Sequence, residues 1–321
     1  MSKNRKIKKS PIHPFLEKQG FLILDGALAT ELEARGADLR HALWSAKILM
    51  EQPELIRLVH LDYFRAGADV ATTASYQATV PGLCHYGLSR KEACRLLQIS
   101  VELAQQARED FITTNESHDR LTPLIAASIG PYGAYLADGS EYRGHYGKTV
   151  EQVVDFHRPR LEALLEAGPD LLAFETIPNR LEGEALLQLL ADYPEVWAWI
   201  SFSAKNGAQI SEGQFFSDIV ALVEDSPQIV AVGINCTAPR HIEPLLQVAV
   251  ACTEKPLVVY PNSGEGWNAE QKCWLPTLAE KSLMEGAERW YSAGARLIGG
   301  CCRTRPADIQ RLREKLVTEL I

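Results

Sequence analysis

Apolar residues in this chain of 321 residues gather into eight short runs rich in Val, Ile, Leu and Ala. Most of the runs are apolar at consecutive positions rather than at alternating ones, as in parallel strands that are buried on both faces. The predicted strands span residues 21–24, 69–74, 124–129, 170–175, 196–202, 229–234, 256–260 and 295–298.

Helical patterns lie between these runs. Ser89 with Glu92, and Thr149 with Gln152, have the spacing of a capping box, which marks the start of a helix. Pro306 suits the first position of a last helix, where its missing N–H costs nothing. Regular alternation of strand and helix, repeated eight times, predicts an α/β protein with one closed (β/α)8 TIM barrel rather than an open doubly wound sheet.

The N-terminal segment differs from the rest of the chain. Residues 1–14 are basic and no apolar segment follows them, so they do not form a secretory signal. We predict that they form a disordered tail and that residues 15–321 form the barrel domain.

Composition narrows the possible partners. No run approaches the roughly 18 apolar residues of a membrane span, and a net charge of −8 argues against nucleic acid as the main partner. Seven cysteines, an odd number, without an export signal predict free or metal-bound thiols in a reducing cytoplasm. The sequence does not indicate the oligomeric state.

Three of the cysteines follow predicted strands. Cys236 comes after the sixth strand, and Cys301 and Cys302 follow the eighth strand and two glycines, Gly299 and Gly300. The carboxyl ends of all barrel strands face one mouth, so the three thiols can converge on a zinc ion and leave its fourth position open. Adjacent cysteines on an extended strand point to opposite faces, but the glycines allow the backbone to turn. Small apolar filling or a vicinal disulfide are the alternatives.

Polar side chains occupy the same predicted mouth. Glu175 ends a fully buried strand and therefore needs a partner, whereas Asp25 before a glycine either binds a ligand or caps a turn. Thr73 and Tyr76 follow the second strand, and Asn235 adjoins Cys236.

At these residues the chain resembles the homocysteine S-methyltransferases. Residues 25–33 look like that family's opening strand and loop, and residues 233–236 and 299–302 look like its two metal motifs. Residues 260–267 are similar to the branch that uses S-methylmethionine.

The resemblance implies a set of roles for these residues. It implies one Zn²⁺ held by Cys236, Cys301 and Cys302, with Asp25 and Glu175 on the α-ammonium group of homocysteine. Thr73, Tyr76 and Asn235 line the substrate site by the same analogy. Tyr76, Trp44 and Trp267 are candidates to face a cationic sulfonium. No catalytic residue beyond the metal site is implied.

The implied reaction moves a methyl group from S-methylmethionine, with S-adenosylmethionine as a lesser donor, to L-homocysteine and forms methionine. The partners would then be small molecules, with neither nucleic acid nor membrane involved. Three alternatives stay open at this point: a selenol acceptor, a zinc hydrolase or aldolase, and a non-enzymatic barrel that responds to zinc or to oxidation of Cys301 and Cys302. The predicted mouth contains no histidine, which disfavours the hydrolase.

Overall fold

Eight parallel strands form one sheet in a computed structural model that describes residues 9–39, 45–114, 119–263, 266–268, 273–275 and 283–320. The strands are β1 (Leu22–Ile23), β2 (Val70–Thr72), β3 (Leu124–Ile129), β4 (Leu171–Ile177), β5 (Ala198–Phe202), β6 (Ile229–Asn235), β7 (Leu257–Tyr260) and β10 (Ala295–Ile298). Two further strands, β8 (Gly266–Asn268) and β9 (Cys273–Leu275), pair as a separate antiparallel hairpin that the sequence did not indicate.

The sheet closes on itself. Its strands follow the order β1-β10-β7-β6-β5-β4-β3-β2. The two end strands meet where Leu24 bridges Val70 in parallel and the Asp69 N–H donates to the Ile23 carbonyl at 2.7 Å. The predicted (β/α)8 barrel is confirmed, and each predicted strand agrees with the observed one to within two residues at either end.

Helices surround the barrel. They are α1 (His13–Gln19), α2 (Leu28–Ala34), α3 (Ser45–Glu51), α4 (Pro53–Ala66), α5 (Val80–His85), α6 (Arg90–Thr113), α7 (Tyr132–Leu136), α8 (Val150–Glu166), α9 (Arg180–Ala191), α10 (Phe216–Glu224), α11 (Ile242–Val250), α12 (Leu283–Ser292) and α13 (Pro306–Leu320). Both predicted capping boxes are present, at the starts of α6 and α8. Within the described residues, no helix combines the length and apolarity needed to cross a membrane.

Apolar side chains pack on both sides of the sheet. Outward-facing strand residues such as Ile125 and Phe174 pack under the helices, and inward-facing ones such as Leu171 and Trp199 fill the barrel. Ile12, just before α1, belongs to the inner group. Residues 1–8 of the predicted tail lie outside the described residues. The last residues of the predicted tail are ordered, since Ile12 is buried and His13 begins α1.

Candidate metal and substrate site

Three cysteine sulfurs meet at the mouth, the end of the barrel formed by the carboxyl ends of its strands. Cys236 follows β6 directly, and Cys301 and Cys302 follow β10 after the two glycines. The three Sγ atoms all lie within 4.8 Å of one another, and those of Cys236 and Cys302 are 3.6 Å apart. None of these residues, which we call the cysteine cluster, forms a disulfide. The structure therefore brings together the three thiols that the sequence placed at one mouth.

Backbone contacts with the end of β7 hold the cysteine cluster in place. The Cys236 N–H donates to the Tyr260 carbonyl at 3.1 Å, and the Cys301 N–H donates to the Pro261 carbonyl at 2.8 Å. Cys236 has a φ of 48°, a left-handed conformation that is uncommon for residues other than glycine and is often found at functional sites.

Gly299 and Gly300 were expected to allow an unusual backbone turn, but the structure shows a different reason for glycine at these positions. Neither Gly299 nor Gly300 adopts a left-handed conformation. Instead, a Cβ on Gly299 would lie 2.5 Å from the Leu24 Cβ, and one on Gly300 would collide with Thr304. Glycine is required here because the chain after β10 passes close to its neighbours.

Hydrogen bonds distribute protons unevenly over the cysteine cluster. Hydrogen bonds from the Cys301 and Cys302 thiols lower the pKa of Cys236 well below its usual value, and the same interactions with Cys236 raise the pKa values of both donors. The Tyr142 hydroxyl lies 3.1 Å from the Cys236 sulfur. Burial raises the pKa of Tyr142 well above 10, so the phenol stays neutral.

The cysteine cluster has the chemistry and spacing of a zinc site. Thiolates are ligands that zinc prefers, and two sulfurs at about 2.3 Å from a tetrahedral zinc lie about 3.8 Å apart. The observed separation of 3.6 Å between Cys236 and Cys302 is close to that value. Three protein ligands leave a tetrahedral ion one open position for a substrate atom.

Asp25 lies just beyond β1 and is only 4% exposed. Its carboxylate accepts the Thr72 N–H at 2.8 Å and the Thr72 hydroxyl at 2.9 Å. Burial raises the pKa of Asp25 to about 8, and the nearby charge of Glu175 adds to this effect.

Glu175 in β4 is 8% exposed and accepts a hydrogen bond from the Ser128 hydroxyl. Burial raises the pKa of Glu175 to about 7, although hydrogen bonds from Ser128 and Tyr260 oppose the shift. Among the described residues, no lysine, arginine or histidine forms an ion pair with Asp25 or Glu175. Two buried acids without a counter-charge among the described residues are suited to bind a cationic group.

Thr73 and Asn235 lie at the mouth, but their polar atoms are occupied by the protein itself. The Thr73 hydroxyl lies 2.6 Å from Ser75 Oγ and accepts the Ser128 N–H at 3.0 Å. Asn235 accepts the Thr176 N–H at 2.7 Å and donates to the Thr176 hydroxyl at 2.8 Å. This geometry favours a role in positioning the carboxyl ends of β3 and β4, where Ser128 and Thr176 lie.

Tyr76 is half-buried at the mouth. Burial raises its pKa well above 10, and the charges of Glu141 and Cys236 add to the shift. Of the other aromatic candidates, Trp44 lies outside the described residues, and Trp267 is described only as part of β8.

Sequence reasoning missed Glu141 and Tyr142, which form the end of a short 3-10 turn, Ser140–Tyr142. The turn lies in the connection between β3 and α8. The other regular element in this connection is the short helix α7. A long connection at the functional end of a barrel is itself a signal, because most strand-to-helix connections span 2–6 residues.

The profile of one family, described as homocysteine S-methyltransferase, matches residues 22–316. The homocysteine S-methyltransferase YbgG of Bacillus subtilis is 52% identical over 304 residues, which cover 94% of this chain and 96% of that protein. The homocysteine S-methyltransferase of Escherichia coli is 53% identical over 309 residues, covering 96% and 99% of the two chains. The metallated form of the E. coli homocysteine methyltransferase MmuM superposes with a TM-score of 0.87 at 52% identity, over 95% of this chain and 100% of that one.

Proposed function

The chain belongs to the homocysteine S-methyltransferase family, and we propose that it transfers a methyl group from S-methylmethionine to L-homocysteine with one Zn²⁺ bound by Cys236, Cys301 and Cys302. One observation carries the proposal. The three sulfurs lie within 4.8 Å of one another at the same mouth as two buried carboxylates, for which the described residues provide no counter-charge.

The cysteine cluster would hold the metal beside the acceptor sulfur. When bound, zinc supplies Lewis acidity that converts a coordinating thiol, only a few per cent ionised at neutral pH, into a thiolate. The Tyr142 hydroxyl, 3.1 Å from the Cys236 sulfur, stays neutral and donates a hydrogen bond at this edge of the cluster.

Asp25 and Glu175 would bind the α-ammonium group of homocysteine. Thr72 and Ser128 donate hydrogen bonds to these two carboxylates and so hold them in one orientation. An arriving ammonium group would favour the ionised forms of both acids and so lower the pKa values that burial has raised. Thr73 and Asn235 would act one step further away, by fixing the strand ends that carry Ser128 and Glu175.

Methyl transfer then needs few groups from the protein. The homocysteine thiolate attacks the methyl carbon in line, and the carbon–sulfur bond of the donor breaks with its electron pair left on the donor sulfur. A neutral thioether replaces the sulfonium, and two molecules of methionine result. No proton moves in this step, so the chain needs no general base, and its residues contribute position and the exclusion of water.

S-adenosylmethionine offers the same sulfonium methyl group and is proposed as a lesser donor, and a selenol is the alternative acceptor. A purely redox-responsive role for Cys301 and Cys302 would leave the uncompensated Asp25 and Glu175 unexplained. We place the enzyme in the cytoplasm, because an oxidising compartment would convert the cluster thiols into a disulfide.

The test combines purified protein, homocysteine and S-methylmethionine without any corrinoid, with and without a zinc chelator. We expect chelator-sensitive methionine at two molecules per donor consumed. Cys302→Ser should form none, whereas Cys252→Ser, which changes a half-buried free cysteine outside the cluster, should match the unmodified enzyme. A folded, zinc-loaded protein that forms no methionine would contradict the proposal, and parallel assays with S-adenosylmethionine or selenocysteine would then identify the alternative pair.

A further inference from the structure

A third acid at the mouth has no assigned role. Glu141 lies in the 3-10 turn Ser140–Tyr142, and its Oε2 atom is buried without a hydrogen-bond partner among the described residues. Leaving a buried carboxylate oxygen unsatisfied costs free energy, so an arrangement of this kind calls for an explanation.

The turn that carries Glu141 is held firmly. The backbone carbonyl of Glu141 accepts a hydrogen bond from the Ser203 hydroxyl at 3.1 Å. A Cβ on Gly133 in α7 would collide with the Glu141 nitrogen, so helix and turn pack closely. The unsatisfied oxygen therefore belongs to a fixed segment.

Glu141 lies on the same side of the mouth as Cys236 of the cysteine cluster. Its neighbour Tyr142 contacts Cys236. Burial raises the pKa of Glu141 to about 7, the charges of Cys236 and Asp138 add to the shift, and the charge of Arg143 opposes it. The charge of Glu141 in turn adds to the effect of burial on the pKa of Tyr76. Burial and the nearby charge of Glu175 raise the pKa of Asp25. Since the proposed function assigns both of these acids to homocysteine, Glu141 is the mouth acid that is left for a second ligand.

We propose that Glu141 binds the α-ammonium group of the methyl donor. The assignment rests on the proposed function, in which Asp25 and Glu175 bind the ammonium group of homocysteine. The donor carries two cations, and only the ammonium group has N–H bonds to give to an unsatisfied acceptor, whereas a sulfonium is stabilised by general negative charge and aromatic faces. A buried acceptor without a donor is matched by the group that supplies one.

A purely structural role for Glu141 makes a different prediction. If Glu141 supported the turn, changing it would lower the stability of the protein, whereas changing a buried carboxylate with an unsatisfied oxygen should not. Glu141→Gln keeps the shape and removes the charge, so we expect its thermal midpoint to equal or exceed that of the unmodified protein.

The main experiment measures ligand binding to zinc-loaded Glu141→Gln by calorimetry. We expect the Kd of S-methylmethionine to rise about 10- to 100-fold, as for the loss of a hydrogen bond between charged groups, with the Kd of homocysteine within twofold of its original value. Asp155→Asn is the matched control, because it removes one charge from an exposed position in α8 and should change neither constant. An unchanged donor Kd in Glu141→Gln would overturn the assignment.

A second arm changes the ligand instead of the protein. The desamino analogue of S-methylmethionine keeps the sulfonium and the carboxylate but lacks the ammonium group. We expect the unmodified enzyme to bind it about 10- to 100-fold less tightly than S-methylmethionine, and Glu141→Gln to discriminate little between the two. Equal discrimination in both proteins would refute the contact. An unmodified enzyme that does not bind S-methylmethionine at all would contradict the proposed function itself, which separates the two failures.

Discussion

The two ends of the barrel bury acidic side chains in opposite ways. At the amino end of β2, Asp69 is 1% exposed and accepts hydrogen bonds from Arg313 at 2.8 Å and Gln19 at 2.8 Å, with Arg120 at 3.5 Å. At the mouth, Asp25 is buried almost as deeply, but the side-chain partner that the described residues give it is neutral, the hydroxyl of Thr72, whose N–H also donates to the carboxylate. One acid is neutralised by the chain, and the other is not.

The same contrast recurs at β4. Asp170, just before the strand, pairs with Arg108 at 2.6 Å and accepts the Ile125 N–H at 2.7 Å. Glu175, inside the same strand, receives hydroxyl donors and no cation from the described residues. Five positions along the chain therefore separate an acid that stabilises the fold from an acid that, in our account, binds a ligand.

The partners of a buried carboxylate distinguish structural from functional acids in a barrel. A buried carboxylate with arginine partners already has its counter-charge, and removing it leaves those arginines uncompensated. A buried carboxylate with neutral donors alone keeps a raised pKa and favours binding of a cation. The difference is visible only in three dimensions, because both kinds of acid flank the same apolar runs in the sequence.

The largest effect that we expect concerns the cysteine cluster. Cys236→Ala, Cys301→Ala and Cys302→Ala should each lower the rate of methionine formation by about 1,000-fold or more, because each removes a proposed zinc ligand from a mouth that the core does not need. Circular dichroism should show a cooperative melting transition in all three. Loss of that transition in every variant would show that the cluster is part of the core.

At the amino end of the barrel, Asp69→Asn should act on stability instead. We expect the free energy of unfolding to fall by about 2–3 kcal/mol, because Arg120 and Arg313 lose their counter-charge in a partly buried site. Denaturant titration measures the change, and the KM of homocysteine serves as the control that should not move. A raised KM with unchanged stability would reverse the assignment of the two ends.

At the mouth, Asp25→Asn and Glu175→Gln should weaken substrate binding without destabilising the protein. Each variant should raise the KM of homocysteine about 10- to 100-fold, as for the loss of a hydrogen bond to a charged group, and should retain its zinc. Metal analysis of the purified variants provides the check on the second point. If Glu175→Gln lost zinc, Glu175 would belong to the metal site and not to the substrate site.

The smallest effect concerns pH. The pKa values of Asp25 and Glu175 are raised in the folded protein to about 8 and about 7, above their unfolded values. The folded state therefore holds more protons than the unfolded state between about pH 4.5 and pH 8, and this contribution to stability is lost as the pH rises.

We expect the ligand-free protein to lose at least about 1.4 kcal/mol, the equivalent of one pKa unit, between pH 5 and pH 8. The double variant Asp25→Asn with Glu175→Gln should lose less over the same interval, as followed by denaturant titration. Identical pH profiles for the two proteins would mean that the mouth acids are already compensated.

The sequence predicted the barrel well because each strand is a local apolar run between recognisable helix starts. It also predicted the convergence of Cys236 with Cys301 and Cys302, because strand ends share one mouth. It did not reveal Tyr142 beside Cys236, a contact across 94 positions of the chain that depends on the path of a loop. Nor did it show that the side-chain amide of Asn235 forms hydrogen bonds with Thr176, because the partners of a buried side chain depend on packing and not on sequence spacing.

The most direct test of the account follows homocysteine binding to the cobalt-substituted enzyme by absorption. We predict an increase in the sulfur-to-cobalt charge-transfer absorption that saturates at one homocysteine per chain, and that in Asp25→Asn reaches the same amplitude only at higher homocysteine concentrations. That result would place the thiol at the cysteine cluster and the ammonium group at the uncompensated acids. A cobalt-loaded protein whose spectrum does not respond to homocysteine would contradict the account.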